Sequence, residues 1–324
     1  MHLVFGGNSM SLADDKRILV EIASMYYEQG LKQEEIAKKM NISRSLVSKY
    51  LLKSREEGIV EIIIHDSVAN PYSSLEEEVK VNYGLDEVIC IESAGRGLQN
   101  KLLGIAAAKH LARIIKPWNV ISVSAGTTVH NAAENFQRQN QLTNVKFIPL
   151  VGGMGMEHIT IQSNKVCELF ASRTGGQAVE LHAPITADDI ESKKVLMRQS
   201  FIKNVLQQGE EADIALVGIG GVPIYSTLTD AYLDDQVNDS SEYSKTKIAG
   251  DICYNFIDYS GRLADCSWNN RVLSIELENL KKVPCRIGVS GGSEKVGSIR
   301  AALKGKLVNV LITDENTARS LLVG

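Results

Sequence analysis

The chain has 324 residues, of which 44% are hydrophobic and 23% charged. At roughly 150 residues per domain this length predicts two domains, and the apolar content suffices for a buried core, which excludes intrinsic disorder and fibrous repeats. The formal net charge of −4 excludes a surface that binds nucleic acid everywhere, but a whole-chain sum leaves room for a local basic patch.

The 5 cysteines (Cys90, Cys167, Cys253, Cys266, Cys285) are odd in number and never form a C-x-x-C pair. Neither a disulfide framework nor a zinc ribbon fits, and a reducing cytoplasm is expected. The histidines show no H-E-x-x-H spacing, so no metal site is expected. No basic stretch followed by an apolar run opens the chain, and no apolar stretch reaches about 18 residues, so neither export nor membrane insertion is expected.

Residues 1–12 read as a tail and residues 13–66 as a helix-turn-helix domain. Asp14 or Asp15 can cap a first helix whose apolar positions Ile18, Leu19, Ile22, Ala23 and Tyr26 recur at helical spacing, and Gly30 stops it. A short helix over Gln33–Met40 follows. Asn41-Ile42-Ser43 reads as a tight turn in which Asn41 tolerates the left-handed conformation and Ser43 caps the next helix, from Arg44 to about Arg55. That helix buries Val47 and Leu51 and turns Arg44, Ser45, Ser48 and Lys49 outward. Residues 38–55 carry Lys38, Lys39, Arg44, Lys49, Lys53 and Arg55 and no acidic residue.

Helix, short turn, helix with one basic face is the arrangement that places a recognition helix in the DNA major groove. Arg44 can reach a guanine edge or a phosphate, Ser45 and Ser48 allow close approach, and Lys49, Lys53 and Arg55 neutralise phosphates. The alternating run after Gly58, Ile59 to Ile64, predicts the strand of a wing. An αα-hairpin with a solvated basic face is the plainer reading of the same residues.

Residues 67–74 lack periodicity, contain Pro71 and read as a linker, and residues 75–324 as a second domain. A charged helix is expected over Leu75–Tyr83. Strands are expected at Val88–Ile91, Val120–Val123, Val145–Val151, Ala178–His182, Ile214–Val217, Arg286–Val289 and Val308–Ile312, with helices such as Leu102–Ile115 and Thr128–Phe136 between them. Near-continuous Val/Ile runs separated by helices predict a mostly parallel α/β sheet covered on both faces. Such sheets bind ligands at the carboxyl ends of their strands.

Those ends carry small residues: Ala125-Gly126-Thr127-Thr128, Val151-Gly152-Gly153, Gly218-Ile219-Gly220 and Gly291-Gly292-Ser293-Glu294-Lys295. Glycine lets backbone amides approach an anion, and hydroxyls at a helix amino end cradle a phosphate, so one shared pocket is expected. Lys295 can supply a cation, and Asp251, between apolar neighbours, can accept hydrogen bonds from hydroxyls. Glycine pairs after strands are also ordinary turn residues, Asp251 fits a helix cap, and Lys295 fits a solvated side chain. A Walker-type phosphate loop and a dinucleotide-binding glycine fingerprint are both absent.

The runs Tyr26 to Ala37, Ile42-Ser43-Arg44 and Arg55-Glu56-Glu57-Gly58-Ile59-Val60 are similar to the DNA-binding half of the SorC family of bacterial sugar-responsive transcription regulators. Ser124 to Thr128, Gly218-Ile219-Gly220, Gly250-Asp251-Ile252, Gly288 to Lys295 and Leu311 to Ala318 resemble that family's effector domain. The resemblance runs in order from about residue 17 to residue 322. It implies a winged helix-turn-helix domain followed by an effector-binding and oligomerisation domain related to sugar-phosphate isomerases and glucosamine-phosphate deaminases. It also implies a phosphorylated sugar as effector, double-stranded operator DNA as partner, and a homotetramer or dimer of dimers.

Position by position, the resemblance assigns Gly126, Thr127 and Thr128 to the phosphate loop, Gly152 and Gly153 to a pocket turn, and Gln162 and Asn164 to a polar pair after it. Asp251 and Lys295 match the effector-contacting acid and lysine. Val151 stands where some relatives carry a basic residue, so no second phosphate contact is expected there. The alternative is an active sugar-phosphate isomerase or deaminase carrying a DNA-binding domain, with Asp251 as general base and Lys295 as stabiliser. No second acid/base residue is evident beside Asp251, and a non-enzyme without cofactor is expected.

Overall fold

The computed structural model describes residues 12–60, 70–139, 142, 144–155, 158–222 and 247–323. The chain divides into two compact units, Met1–Val68 and Ala69–Gly324. Residues 1–11 of the expected tail, the wing from residue 61 onward and linker residues 67–69 lie outside the described residues, and Leu12, expected in the tail, already opens the first helix.

The first unit contains α1 (Leu12–Tyr27), α2 (Gln33–Met40) and α3 (Arg44–Glu56). Helix α1 already includes residues 14 and 15, so those aspartates lie within its first turn instead of capping it. Gly30, at φ 69°, turns the chain out of α1. Asn41 takes the left-handed conformation at φ 52° and ψ 44°, and Ser43 accepts a hydrogen bond from Leu46 N at 3.2 Å, satisfying one of the free amides of α3. Leu31, Ile36, Val47 and Leu51 meet Ile22 and Met25 in one small core. The apolar spacing thus fixes which face of α3 is buried and leaves the polar face outward.

The second unit is built on a sheet with strand order β1-β9-β8-β5-β2-β3-β4, every neighbouring pair parallel. The strands are β1 (Glu87–Ile91), β2 (Val120–Val123), β3 (Lys146–Pro149), β4 (Gln177–Ala178), β5 (Ile214–Gly220), β8 (Cys285–Val289) and β9 (Val310–Asp314). Alternate residues face opposite sides. Ala215, Val217 and Leu311 join a core with α4 (Ser73–Tyr83), α11 (Val296–Lys304) and α12 (Glu315–Leu322). Ile214, Leu216 and Ile312 join another with α5 (Arg96–Ile114), α6 (Thr127–Asn135) and α7 (Ser163–Thr174). Covering both faces explains why these strands read as unbroken apolar runs. Near one edge α8 (Ile190–Arg198) and α9 (Ser200–Glu210) follow in sequence, with Ile202, Val205 and Leu206 packed on Ile148 and Leu181. The short α10 (Leu277–Leu280) precedes β8.

Two strands escaped the sequence reading. β6 (Ile248–Ile252) pairs antiparallel with the end of β5, and β7 (Asn255–Asp258) pairs with β6. Their two-residue turn holds Cys253 at φ 49° and Tyr254 at φ 60°, both left-handed. A hairpin turn of that kind favours Asn-Gly, so this one is strained at two side-chain-bearing residues. Surrounding bonds impose it: Trp268 Nε1 donates to Tyr254 O at 2.7 Å, Asn255 Nδ2 donates to Cys253 O at 3.3 Å, and Tyr254 OH donates to Met154 Sδ at 3.0 Å. The expected strand Ala178–His182 is much shorter, because only Gln177 and Ala178 pair with β3 in ladder register.

Candidate functional site

The outward face of α3 carries Arg44, Ser45, Ser48, Lys49 and Arg55, all exposed, with Lys53 half-buried. Arg44 lies 3.9 Å from Glu34, with both side chains about two-thirds exposed or more, and Lys53 lies 3.6 Å from Glu57. Exposed ion pairs of this kind contribute little and are readily exchanged for a stronger anion. The sequence-assigned DNA-binding residues therefore share one helix, and none is walled in by its own unit.

In the second unit a cavity of about 350 Å³ lies at the carboxyl ends of the parallel strands. Its wall draws on residues at or near the starts of four helices: Gln99 and Asn100, the fourth and fifth of α5, Thr127 and Thr128 of α6, Lys295 just ahead of α11, and Asn316 of α12. Helix amino ends carry partial positive charge and unpaired backbone amides, so their convergence favours an anion.

The threonine turn is held by its neighbours. Gly126 has φ 121° and ψ 160°, a conformation that glycine alone adopts without strain. Its N–H donates to Ile161 O at 2.9 Å, while Ser124 Oγ accepts from Gly218 N at 3.1 Å, tying the end of β2 to that of β5. Among the described residues, no side chain covers the place a Cβ at 126 would occupy.

Asp251 is brought in by the β6–β7 hairpin. It is 6% exposed and stands opposite Gly220 in the ladder. A Cβ at position 220 would overlap the Asp251 carboxylate, and one at 250 would overlap Ser298. Both glycines are thus required by close approach, which positions the acid against the wall of the cavity. Burial, with Asp251 adding to it, pushes the neighbouring Cys253 thiol well above its ordinary range, so that lining residue stays neutral.

Asp314, also in the wall, is structural. Burial alone would raise its carboxyl, but hydrogen bonds from Thr317, Ser93 and Gly292 outweigh that and hold it below the usual carboxylate range. Thr317 Oγ1 donates at 2.6 Å, Ser93 Oγ at 2.8 Å and Gly292 N at 2.9 Å. This network ties β1, β8 and β9 together and shapes the turn at Gly291-Gly292.

The structure therefore brings Gly126, Thr127, Thr128, Gly218, Gly220, Asp251 and Lys295 to one cavity. Gly152, Gly153, Gln162 and Asn164 are not among its lining residues. A Cβ at 152 would overlap Pro184 O, and Gly153 pairs with Pro184, so the glycine pair serves close packing of two chain segments. Gln162 Nε2 donates to Gly155 O at 2.8 Å, and Asn164 exchanges two hydrogen bonds with the Leu181 backbone, at 3.1 and 3.0 Å. In place of the β3 end, the ends of β1 and β9 contribute Ser93, Gln99, Asn100 and Asn316. No local pattern in the sequence marks these, because polar residues in the first turn of a helix are common for capping alone.

No group of three or more His, Cys, Asp or Glu suited to a metal occurs among the described residues. Nor is any described helix long and apolar enough to cross a membrane. A family model described as "putative sugar-binding domain" matches residues 69–323. The sorbitol operon regulator of Klebsiella pneumoniae is 31% identical over 97% of this chain and 100% of its own length. The deoxyribonucleoside regulator of Bacillus subtilis is 30% identical over 95% of this chain and 98% of its own. The crystal structure of the full-length sorbitol operon regulator SorC from Klebsiella pneumoniae superposes with a TM-score of 0.73, covering 95% of this chain and 99% of that one. The chain belongs to this family of sugar-responsive transcription regulators, with a helix-turn-helix unit joined to a sugar-binding α/β domain.

Proposed function

We propose that this regulator binds operator DNA through α3 and is controlled by a phosphorylated sugar in the cavity of its second unit. Arg44, Ser45 and Ser48 face base edges, and Lys49, Lys53 and Arg55 contact phosphates. The phosphate sits on the Gly126-Thr127-Thr128 turn, Asp251 accepts from sugar hydroxyls, and Lys295 supplies a positive charge. The observation that carries this reading is the convergence of four helix amino ends on one cavity of sugar-phosphate size.

The protein acts in the cytoplasm as a homotetramer or dimer of dimers on a pseudo-palindromic operator, and it senses its ligand without turning it over. For control, the sugar phosphate must bind two arrangements of the subunits unequally, and a coupling of about 1–3 kcal/mol amounts to about 5- to 150-fold in operator affinity. Thermal melting with inorganic phosphate and with a panel of pentose and hexose monophosphates tests the cavity. Stabilisation by a monophosphate without product formation is the expected result; product formation, or no shift with any member, contradicts it.

A further inference from the structure

Gln99 sits in the first turns of α5, is 4% exposed and lines the cavity. Its Oε1 already accepts a hydrogen bond from Ala94 N at 2.6 Å, which fixes the amide so that Nε2 is its remaining donor. Among the described residues Nε2 has no hydrogen-bond partner, although it is buried. Buried donors are almost always satisfied, so an orphan on a cavity-lining residue calls for an acceptor from outside the chain, a ligand oxygen or an ordered water. The amides beside it are uncharged: Asn100 follows it on α5, with its Oδ1 3.5 Å from Thr128 Oγ1, and Asn316 comes from α12. Neutral carboxamides match hydroxyl or carbonyl oxygens, whereas the charged Asp251 and Lys295 lie on other strand ends.

We infer that Gln99 is a specificity-determining residue of the effector site, its Nε2 donating to a hydroxyl or carbonyl oxygen of the sugar part of the ligand. The inference rests on the cavity being the effector site, and it adds the requirement that the ligand present an acceptor oxygen toward α5. A bare phosphate on the threonine turn leaves Nε2 orphaned; a sugar phosphate satisfies it. Discrimination follows from the same geometry, because a deoxy analogue lacking that oxygen restores the unpaired donor.

The test compares inorganic phosphate with the tightest-binding pentose or hexose monophosphate, by calorimetric titration of the full-length protein and two variants. Gln99→Met removes the donor at similar volume. Gln99→Glu keeps the acceptor for Ala94 N and replaces the donor by an oxygen, which guards against misfolding of the first. The readout is the ratio of monophosphate to inorganic phosphate affinity, with the melting temperature of the unliganded protein as fold control. A fall of at least about tenfold in that ratio in both variants is expected. A ratio within twofold of the native one overturns the inference, an ordered water then being the partner of Nε2. Equal loss for both ligands also overturns it, since Gln99 would then act on the phosphate. If the native protein binds neither ligand, the effector-site reading fails with it.

Discussion

The two units arrange their polar chemistry in opposite ways. In the first, a small core fixes three helices and most of the charged side chains of α3 stand outside, Arg44 in a weak exposed ion pair. In the second, two large cores clamp a parallel sheet, and the polar groups line a cavity, where Asp251 is 6% and Asp314 2% exposed. An outward cationic face suits a long polyanion that is gripped at many points. A cavity walled by helix amino ends suits a small ligand surrounded on most sides. The comparison teaches that a substitution in one unit should leave the other unit's ligand untouched unless it acts on the coupling.

The largest expected effect breaks the comparison from the core outward. Ile36 is fully buried in the small core, and Ile36→Ala should cost about 2–5 kcal/mol, enough to unfold the first unit. Operator binding in a gel-shift titration should disappear while thermal stabilisation by a sugar monophosphate persists; loss of both would mean the units do not fold independently. Next, Gly220→Val drives a side chain into Asp251 and should weaken monophosphate binding by about 100-fold, or about 2.7 kcal/mol, with operator binding by the unliganded protein unchanged. Calorimetry that finds native affinity would remove Asp251 from the site.

Asp314 sharpens the stability side. Its carboxyl is held below the ordinary value, so its contribution is present above the unfolded-state pKa, near 4, and is lost as pH falls through the lower folded-state value. Asp314→Asn should therefore lower the melting temperature at pH 7, and the gap to the native protein should close on acidification below about pH 4. A gap independent of pH would assign the network to packing alone.

Smaller effects lie on α3. Arg44→Ala should weaken specific operator binding by about tenfold, consistent with loss of one base contact of about 1–3 kcal/mol. Lys49→Ala should act on all sequences alike and reduce the slope of log affinity against log salt by about 1. A native slope would place Lys49 off the DNA.

Much of this architecture could be read from residues. The Asn41-Ile42-Ser43 turn, the buried face of α3 and most strands of the parallel sheet rest on local rules of capping, handedness and apolar periodicity, and these held because nothing in the tertiary structure opposes them. The β6–β7 hairpin could not be read, since its turn is Cys253-Tyr254, not a glycine dipeptide, and distant Trp268, with neighbouring Asn255, imposes its conformation. Asp251 stands out in the sequence between apolar neighbours, but the reason for its placement, contact with Gly220 across the sheet, is a long-range fact. The Gly152-Gly153 pair shows the converse: its sequence resembles the ends of β5 and β8, yet Pro184 takes up the space beside it. Strand order decides the matter, because the cavity spans the β1-to-β2 side and β3 lies beyond it.

Reciprocity provides the most direct measurement. The operator affinity of the full-length protein is determined with and without a saturating sugar monophosphate, and the affinity for that monophosphate with and without saturating operator, all at one salt concentration. The account predicts that both affinities change by the same factor, between about 5- and 150-fold. Tight binding of both ligands with neither affecting the other would contradict it.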